Sequence, residues 1–285
     1  MRSPLAKAAV RLALDEDLGR KWCDATSEAL VDPKAVATGE IYSKGTGCVV
    51  AGATVAAAVL KQVDPKIRVK ILKPDGSVVK PKEPILVFRG RARSILAAER
   101  TAPNFMQRLP ATATLTKKFV DATKRYKTLI LDTRKTTPGL RVFEKYAVTC
   151  GGGTNHRFGM FDRVLMKDNH RRLWKGGDPD RLDQAVLAAR KRFPKLAVEV
   201  EVESLRECAS ALKARPEWIM LDNMSCADMR KCVKLCRGKV KTEASGGITL
   251  ARAKEVAATG VTAISLGCLT HSAGSVDLSL EWRTT

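Results

Sequence analysis

Residues suited to holding an anion sit at the ends of apolar, strand-like runs. TLILDT closes on Asp132 and Thr133, and Arg134 and Lys135 follow. His156 and Arg157 come after three glycines at 151 to 153, and Lys167 opens KDNH at 167 to 170. An arginine fork fits a carboxylate or phosphate with two bonds, whereas lysine acts as a point charge. Arg134, Lys135, Arg157 and Lys167 brought together would repel one another, so the expected ligand carries several negative charges. The next two ends are acidic, Glu201 and Asp222. Carboxylates in a cationic setting can hold Mg2+, bond to ribose hydroxyls or favour a cationic transition state. Alternation puts Glu199, Glu201 and Glu203 on one strand face, and the register with Asp222 selects Glu201. The last ends are small: Ser245-Gly246-Gly247 and Ser265-Leu266-Gly267, with His271 shortly after. Backbone amides approach a phosphate closely where side chains are absent, and a helix expected from about Thr249 adds its dipole.

The elements that must position these groups alternate. Strand-like runs end at 133, 168, 202, 222, 245 and 267, with amphipathic segments such as 178 to 193 and 249 to 259 between them. From Glu201 the landmarks advance by 21, 23 and 22 residues, one strand, loop, helix and loop each time. Such alternation predicts a parallel sheet, and this many units favours a barrel with its site at the C-terminal strand ends. The first hundred residues differ. A helix is expected over 3 to 16, strands within 38 to 52, and a helix over 53 to 63. Two runs at 67 to 72 and 77 to 80 flank the turn signal PDGS and read as a hairpin. A strand over 84 to 93 and a helix over 94 to 109 complete the part. The fold class predicted is α/β, an N-terminal α/β sandwich domain over 1–110 and an incomplete (β/α) barrel over 111–270. A tail over 271–285 is expected to return to the N-terminal domain.

The 285 residues suit one or two domains at roughly 150 each. No run approaches the ~20 apolar residues of a membrane span. Asp15, Glu16 and Asp17 interrupt the basic N-terminus, which reads as an amphipathic helix rather than a signal peptide. A cytoplasmic protein is expected. The 8 cysteines lack a CxxC pair and read as reduced, packed thiols. The formal charge is +21, and residues 100 to 175 hold 17 basic and 5 acidic residues. Aromatics are 5% and no nucleic-acid-binding motif accompanies the charge, so an anionic small molecule is favoured over a nucleic acid.

The set DTRKTTPG (132 to 139), EKYAVTCGGGTNHR (144 to 157), KDNH (167 to 170), EVEVES (199 to 204), LDN (221 to 223) and EASGGI (243 to 248) closely resembles the quinolinate phosphoribosyltransferase family. ERTAPNFMQRL (99 to 109) and the segment around EDLG (16 to 19) resemble it too. The resemblance covers nearly the whole chain. It implies transfer of phosphoribosyl from phosphoribosyl pyrophosphate to quinolinate with Mg2+, giving nicotinate mononucleotide, pyrophosphate and CO2. It implies a homodimer or higher assembly, each site completed by the neighbour's N-terminal domain. Carried onto this sequence, Arg100 reaches the partner's quinolinate, and Arg134, His156, Arg157 and Lys167 bind its carboxylates. Lys135 faces the phosphoribosyl donor with Glu201 and Asp222, which are also the implied Mg2+ residues, directly or indirectly. Thr133, Ser245, Gly246, Gly247, Ser265, Gly267 and His271 complete the substrate site. Lys135, Lys167 or water supplies the proton after CO2 is lost.

The chain departs from the family pattern at Pro103, within an expected helix, and at RLPATAT (108 to 114), which carries Pro110. The segment Arg20 to Asp24 is longer than usual. Two competing expectations stand beside the leading one. One is a sister activity on the same barrel, as in molybdenum-transport-associated relatives. The other is salt-sensitive nucleic-acid binding.

Overall fold

A computed structural model describes residues 3–178 and 180–283. Its strands, in chain order, are β1 (Val36–Ser43), β2 (Cys48–Val49), β3 (Arg68–Ile71), β4 (Val78–Val79), β5 (Pro84–Arg91) and β6 (Leu129–Leu131). Then come β7 (Val164–Met166), β8 (Val198–Val202), β9 (Trp218–Asp222), β10 (Lys241–Ser245), β11 (Ala263–Ser265) and β12 (Leu278–Arg283). The chain divides into two compact units. One holds the chain up to Lys117, the segment Lys135–Gly152 and the chain from Cys268 on; the other holds Lys118–Arg134 and Gly153–Gly267.

The first unit carries an antiparallel sheet ordered β12-β1-β5-β3. The C-terminal strand β12 lies along β1, with Ile41 opposite Leu280. The helix Pro4–Leu18 buries Ala6, Val10, Leu14 and Leu18. Their spacing of four keeps one face toward the core. The helix Ala53–Val63 does the same with Val55, Ala56, Val59 and Leu60. The expected hairpin over 67 to 80 does not form: β3 pairs with β5, and β4 pairs with β2. The turn signal reads true, since Ser77 N donates to Pro74 O at 3.0 Å. Alternation marks both runs as strands but does not name a strand's partner.

The helix expected over 94 to 109 is two helices, Ala92–Ala98 and Thr101–Thr123. The break at Glu99 and Arg100 places Pro103 in the first turn of the second helix. An N–H there has no intrahelical partner, so the proline removes nothing. Pro110 lies in the interior of that helix, where its nitrogen donates no bond.

The second unit is a six-stranded parallel sheet ordered β6-β11-β10-β9-β8-β7. The first two strands in sequence stand at opposite edges, so the barrel stays open between them. Each of β8 to β11 pairs in parallel with the next, and β11 returns to β6. Every residue of β8 is buried, as expected of a strand covered on both faces. Among the described residues, no helix is long and apolar enough to cross a membrane.

Candidate functional site

The carboxyl ends of the parallel strands gather the site residues of the second unit. Lys167 follows β7, Glu201 lies near the end of β8, Asp222 ends β9 and Ser245 ends β10. Period-two alternation sends Glu199 and Glu201 to one face, as it does Glu243 and Ser245. The lower pair and the upper pair therefore occupy successive layers inside the barrel.

In the upper layer Lys167 Nζ pairs with Glu201 Oε2. Burial pushes the Glu201 carboxyl above its usual range; Lys167 opposes this, and the charges of Asp222 and Asp168 add to it. Asp222 Oδ2 accepts from Asn223 Nδ2 at 2.8 Å. Asn223 adopts a left-handed φ of 52° and donates its N–H to Ser245 O at 3.0 Å. Gly246 and Gly247 follow with φ of 91° and 56°. A Cβ on Gly246 would stand 2.1 Å from Asn223 Oδ1. Glycine is needed there for both conformation and space. The three residues knit the ends of β9 and β10 into one turn.

Arg157 is buried, and both burial and the charge of Arg134 hold its guanidinium below the usual arginine range. Two guanidinium groups close enough to disfavour each other make a setting that an anion relieves. Arg157 Nη1 donates to Arg163 O at 3.1 Å. Its loop is closed by Asp162, which accepts from Phe158 N and Gly159 N at 2.6 and 3.1 Å.

His156 is turned inward. Its Nε2 faces Glu199 Oε2 at 3.2 Å and Glu243 Oε2 at 3.3 Å. Its Nδ1 accepts from Arg157 N at 2.7 Å, and its own N–H donates to Asp132 Oδ1 at 2.9 Å. The expected direct contact from this ring to a substrate carboxylate does not match that geometry, because both ring nitrogens face groups of the protein. Burial works against a charged ring, but Glu199 and Glu243 outweigh it and raise the pKa. The Arg157 N–H meets a bare Nδ1, so a second ring proton comes at the expense of that bond. Burial would raise Glu199, yet His156 and Arg163 hold it below the usual range. Arg163 Nη1 donates to it at 3.0 Å. Burial and the charge of Glu199 push Glu243 up.

Among the described residues, His156, Glu199 and Glu243 are the one trio compact enough to hold a metal, with donor atoms within 4.8 Å of one another. The Arg163 guanidinium already supplies positive charge there, and with Nδ1 accepting from Arg157 N the ring turns its N–H, not a free lone pair, to the two carboxylates. Glu201 and Asp222 are hard oxygen donors at adjacent strand ends, the donor type that Mg2+ takes, and burial beside like charge makes Glu201 receptive to a cation. Ser265 is buried, and its hydroxyl helps to keep the Glu243 carboxyl ionised. Thr133 is half-buried. His170 serves the local backbone: its Nδ1 accepts from Lys167 N at 3.0 Å at the start of the helix Asp168–Leu173.

The remaining candidates belong to the first unit. Arg100 is exposed at the break between the helices, and its carbonyl accepts from Asn104 N at 3.1 Å. Lys135 is exposed, and its carbonyl accepts from Thr270 Oγ1 at 2.6 Å. His271 is exposed one residue further on. Two residues that sequence reasoning did not single out stabilise this segment. Glu144, fully buried, accepts from Thr137 N and Oγ1 at 3.0 and 2.7 Å. Arg108 Nη2 donates to Thr270 O at 3.0 Å and lies 3.5 Å from Glu144 Oε1. Glu199, Glu243, Arg163 and Asn223 were given no role either. The alternation of EVEVE placed Glu199 on a face without a task, and Asn223 and Glu243 lay inside quoted motifs without one.

The comparisons agree along nearly the whole chain. The quinolinate phosphoribosyl transferase N-terminal domain matches residues 24–109 and its C-terminal domain matches residues 112–281. A carboxylating nicotinate-nucleotide pyrophosphorylase of Mycobacterium leprae is 40% identical, over 97% of this chain and 96% of that protein. The chloroplastic enzyme of that name from Oryza sativa is 39% identical, over 98% of this chain and 78% of its own length. The nicotinate-nucleotide pyrophosphorylase structure from Francisella tularensis superposes with a TM-score of 0.91 at 39% identity, over 98% of this chain and 96% of that one. The chain belongs to the quinolinate phosphoribosyl transferase family.

Proposed function

We propose that the chain transfers phosphoribosyl from phosphoribosyl pyrophosphate to quinolinate, with loss of CO2, giving nicotinate mononucleotide and pyrophosphate. It is then a pentosyltransferase of NAD biosynthesis. The observation that carries the reading is Arg157, a buried guanidinium already disfavoured by Arg134, in a chain that matches this family along its length.

Both substrates are polyanions, which suits the cationic early strand ends. Arg134, Arg157 and Lys167 take the carboxylates of quinolinate, with His156 behind them and Arg100 contributed by a neighbouring subunit. Lys135, Glu201 and Asp222 face the phosphoribosyl donor. Thr133, Ser245, Gly246, Gly247, Ser265, Gly267 and His271 belong to the same substrate site, with backbone amides of the small residues turned to phosphate oxygens.

The pyridine nitrogen attacks the anomeric carbon with its lone pair as the bond to pyrophosphate breaks. That nitrogen carries no proton, so the step needs no general base. Positive charge grows on the ribose ring, and the carboxylates of Glu201 and Asp222 favour it. Mg2+ held by Glu201 and Asp222, directly or indirectly, would neutralise charge on the leaving pyrophosphate. The pyridinium then withdraws electrons from the adjacent 2-carboxylate bond. CO2 leaves, the electron pair stays on C2, and a proton from Lys135, Lys167 or water fills the position. A homodimer or higher assembly in the cytoplasm goes with this reading. So does the division into an N-terminal domain over 1–110, a barrel over 111–270 and a tail over 271–285.

The test is incubation of the purified protein with quinolinate, phosphoribosyl pyrophosphate and Mg2+, followed by mass spectrometry. Nicotinate mononucleotide that requires both substrates is the expected product. Binding of both without product would point to the altered segment around Pro110. Absence of quinolinate binding would move the assignment to a sister activity on this barrel.

A further inference from the structure

Two glutamates inside the barrel have no part in the chemistry just described. Glu199 and Glu243 are fully buried one layer below Glu201 and Ser245. Burying carboxylates is costly, and apolar side chains of similar volume usually serve stability as well or better. Their position suggests another purpose. Both face Nε2 of His156, and the opposite ring nitrogen accepts the Arg157 N–H. Which ring nitrogen carries the proton is set by what the other one meets. Carboxylates at Nε2 keep the proton there and leave the Nδ1 lone pair for Arg157. Glu199 also holds Arg163, whose carbonyl accepts from the Arg157 guanidinium. Arg157 is thus fixed at its backbone through His156 and at its side chain through Arg163. Both lines of support converge on the buried carboxylates.

We propose that Glu199 and Glu243 are positioning residues that fix the tautomer and orientation of His156, and thereby set the Arg157 guanidinium for the carboxylates of the acceptor. The inference rests on the assignment of Arg157 to quinolinate. Glu243 is the cleaner member, because Glu199 also anchors Arg163.

The experiment uses the full chain with Glu243→Gln, His156→Gln and the double variant. Glutamine keeps the volume but can turn an N–H toward the ring, which favours the other tautomer. Calorimetric titration with quinolinate alone and steady-state kinetics with both substrates are measured, beside thermal melts. For Glu243→Gln the expected result is a rise of roughly tenfold in Kd and KM for quinolinate, with KM for phosphoribosyl pyrophosphate within about twofold of wild type. The double variant should bind quinolinate no more weakly than His156→Gln, since the two residues act in one line. Should Glu243→Gln fail to fold, Glu243→Asp, which keeps the charge but shortens the reach, is read the same way. Unchanged quinolinate binding, equal losses for both substrates, or additive single effects would overturn the proposal while leaving the function intact. A wild-type chain that binds quinolinate but forms no product breaks the reaction assignment and leaves the positioning role to be judged on binding. A wild-type chain that does not bind quinolinate at all overturns both.

Discussion

At the scale of single residues, the candidate site sets opposite charges together at the strand ends and ties those ends to one another with small backbone devices. Asn223 shows how. Asparagine tolerates the left-handed conformation better than most residues, and its φ of 52° turns its amide back onto Asp222. Gly246 closes the other side. Gly246→Ala meets two penalties, a φ of 91° and a Cβ 2.1 Å from Asn223 Oδ1. We expect it to raise KM for phosphoribosyl pyrophosphate by tenfold or more (roughly, for a displaced binding loop), with a smaller effect on quinolinate. Adding Asn223→Ala should not rescue it, because the Asn223 backbone N still lies 2.9 Å from the new Cβ. Full rescue, read from the same kinetics, would show that the side chain alone set the requirement. The buried trio makes a second prediction, on pH. The folded state raises the pKa of Glu243. The carboxyl then holds its proton more tightly folded than unfolded, so its contribution to stability falls as pH rises above the ordinary Glu range of about 4.3. Urea unfolding at intervals upward from about that pH should show wild type losing stability relative to Glu243→Gln. A constant difference between the two would mean that the carboxyl does not titrate there.

At the scale of elements, what was legible followed from periodicity, and what was not followed from pairing. Each parallel strand from β8 to β11 ends within two residues of its sequence landmark, because a buried apolar run bounded by Gly, Asp or Ser has few other readings. The hairpin failed because β3 and β4 carry the right alternation but find other partners. The helix break at Arg100 was hidden because Glu-Arg-Thr-Ala is good helix sequence on both sides of it. The placement of the candidate residues at strand ends was legible for the same reason as the strands. The inward glutamates were not, because alternation cannot tell a substrate contact from a buried prop. Gly52 shows an element boundary under tension. It starts the helix Ala53–Val63 with φ 91°, and a Cβ there would come 2.8 Å from Leu109 Cδ1. Gly52→Ala combines a left-handed penalty of about 1 to 2 kcal/mol with an overpacked core contact of about 1 to 3 kcal/mol. A loss of about 2 kcal/mol or more in urea unfolding is expected. A loss under about 0.5 kcal/mol would mean that the Leu109 methyl moves aside freely and the backbone relaxes with it.

At the scale of the whole molecule the unexplained quantity is charge. The +21 is not spread evenly: residues 100 to 175 alone hold 17 basic and 5 acidic side chains. Those residues include the early strand ends, yet most of their lysines and arginines lie outside the proposed ligand set. Charges of one sign act together at long range. A field of one sign raises the local concentration of oppositely charged ligands and speeds their capture, and it weakens steeply as salt shortens its reach. The Debye length falls from about 30 Å at 0.01 M to about 8 Å at 0.15 M ionic strength. Both proposed substrates are polyanions, so kcat/KM for each should fall across that range while kcat changes little, since groups in contact with the ligand are screened far less. Neutralising exposed lysines at the opposite end of β6, Lys124 and Lys127 among them, should flatten the salt dependence without altering kcat. The alternative use of the charge is nucleic-acid binding, which gives the same salt sensitivity in a gel shift but none in kcat/KM. Measuring both on one preparation separates them. A salt-independent kcat/KM with tight, sequence-dependent nucleic-acid binding at 0.15 M would assign the basic surface to a second partner; the reverse would assign it to substrate capture.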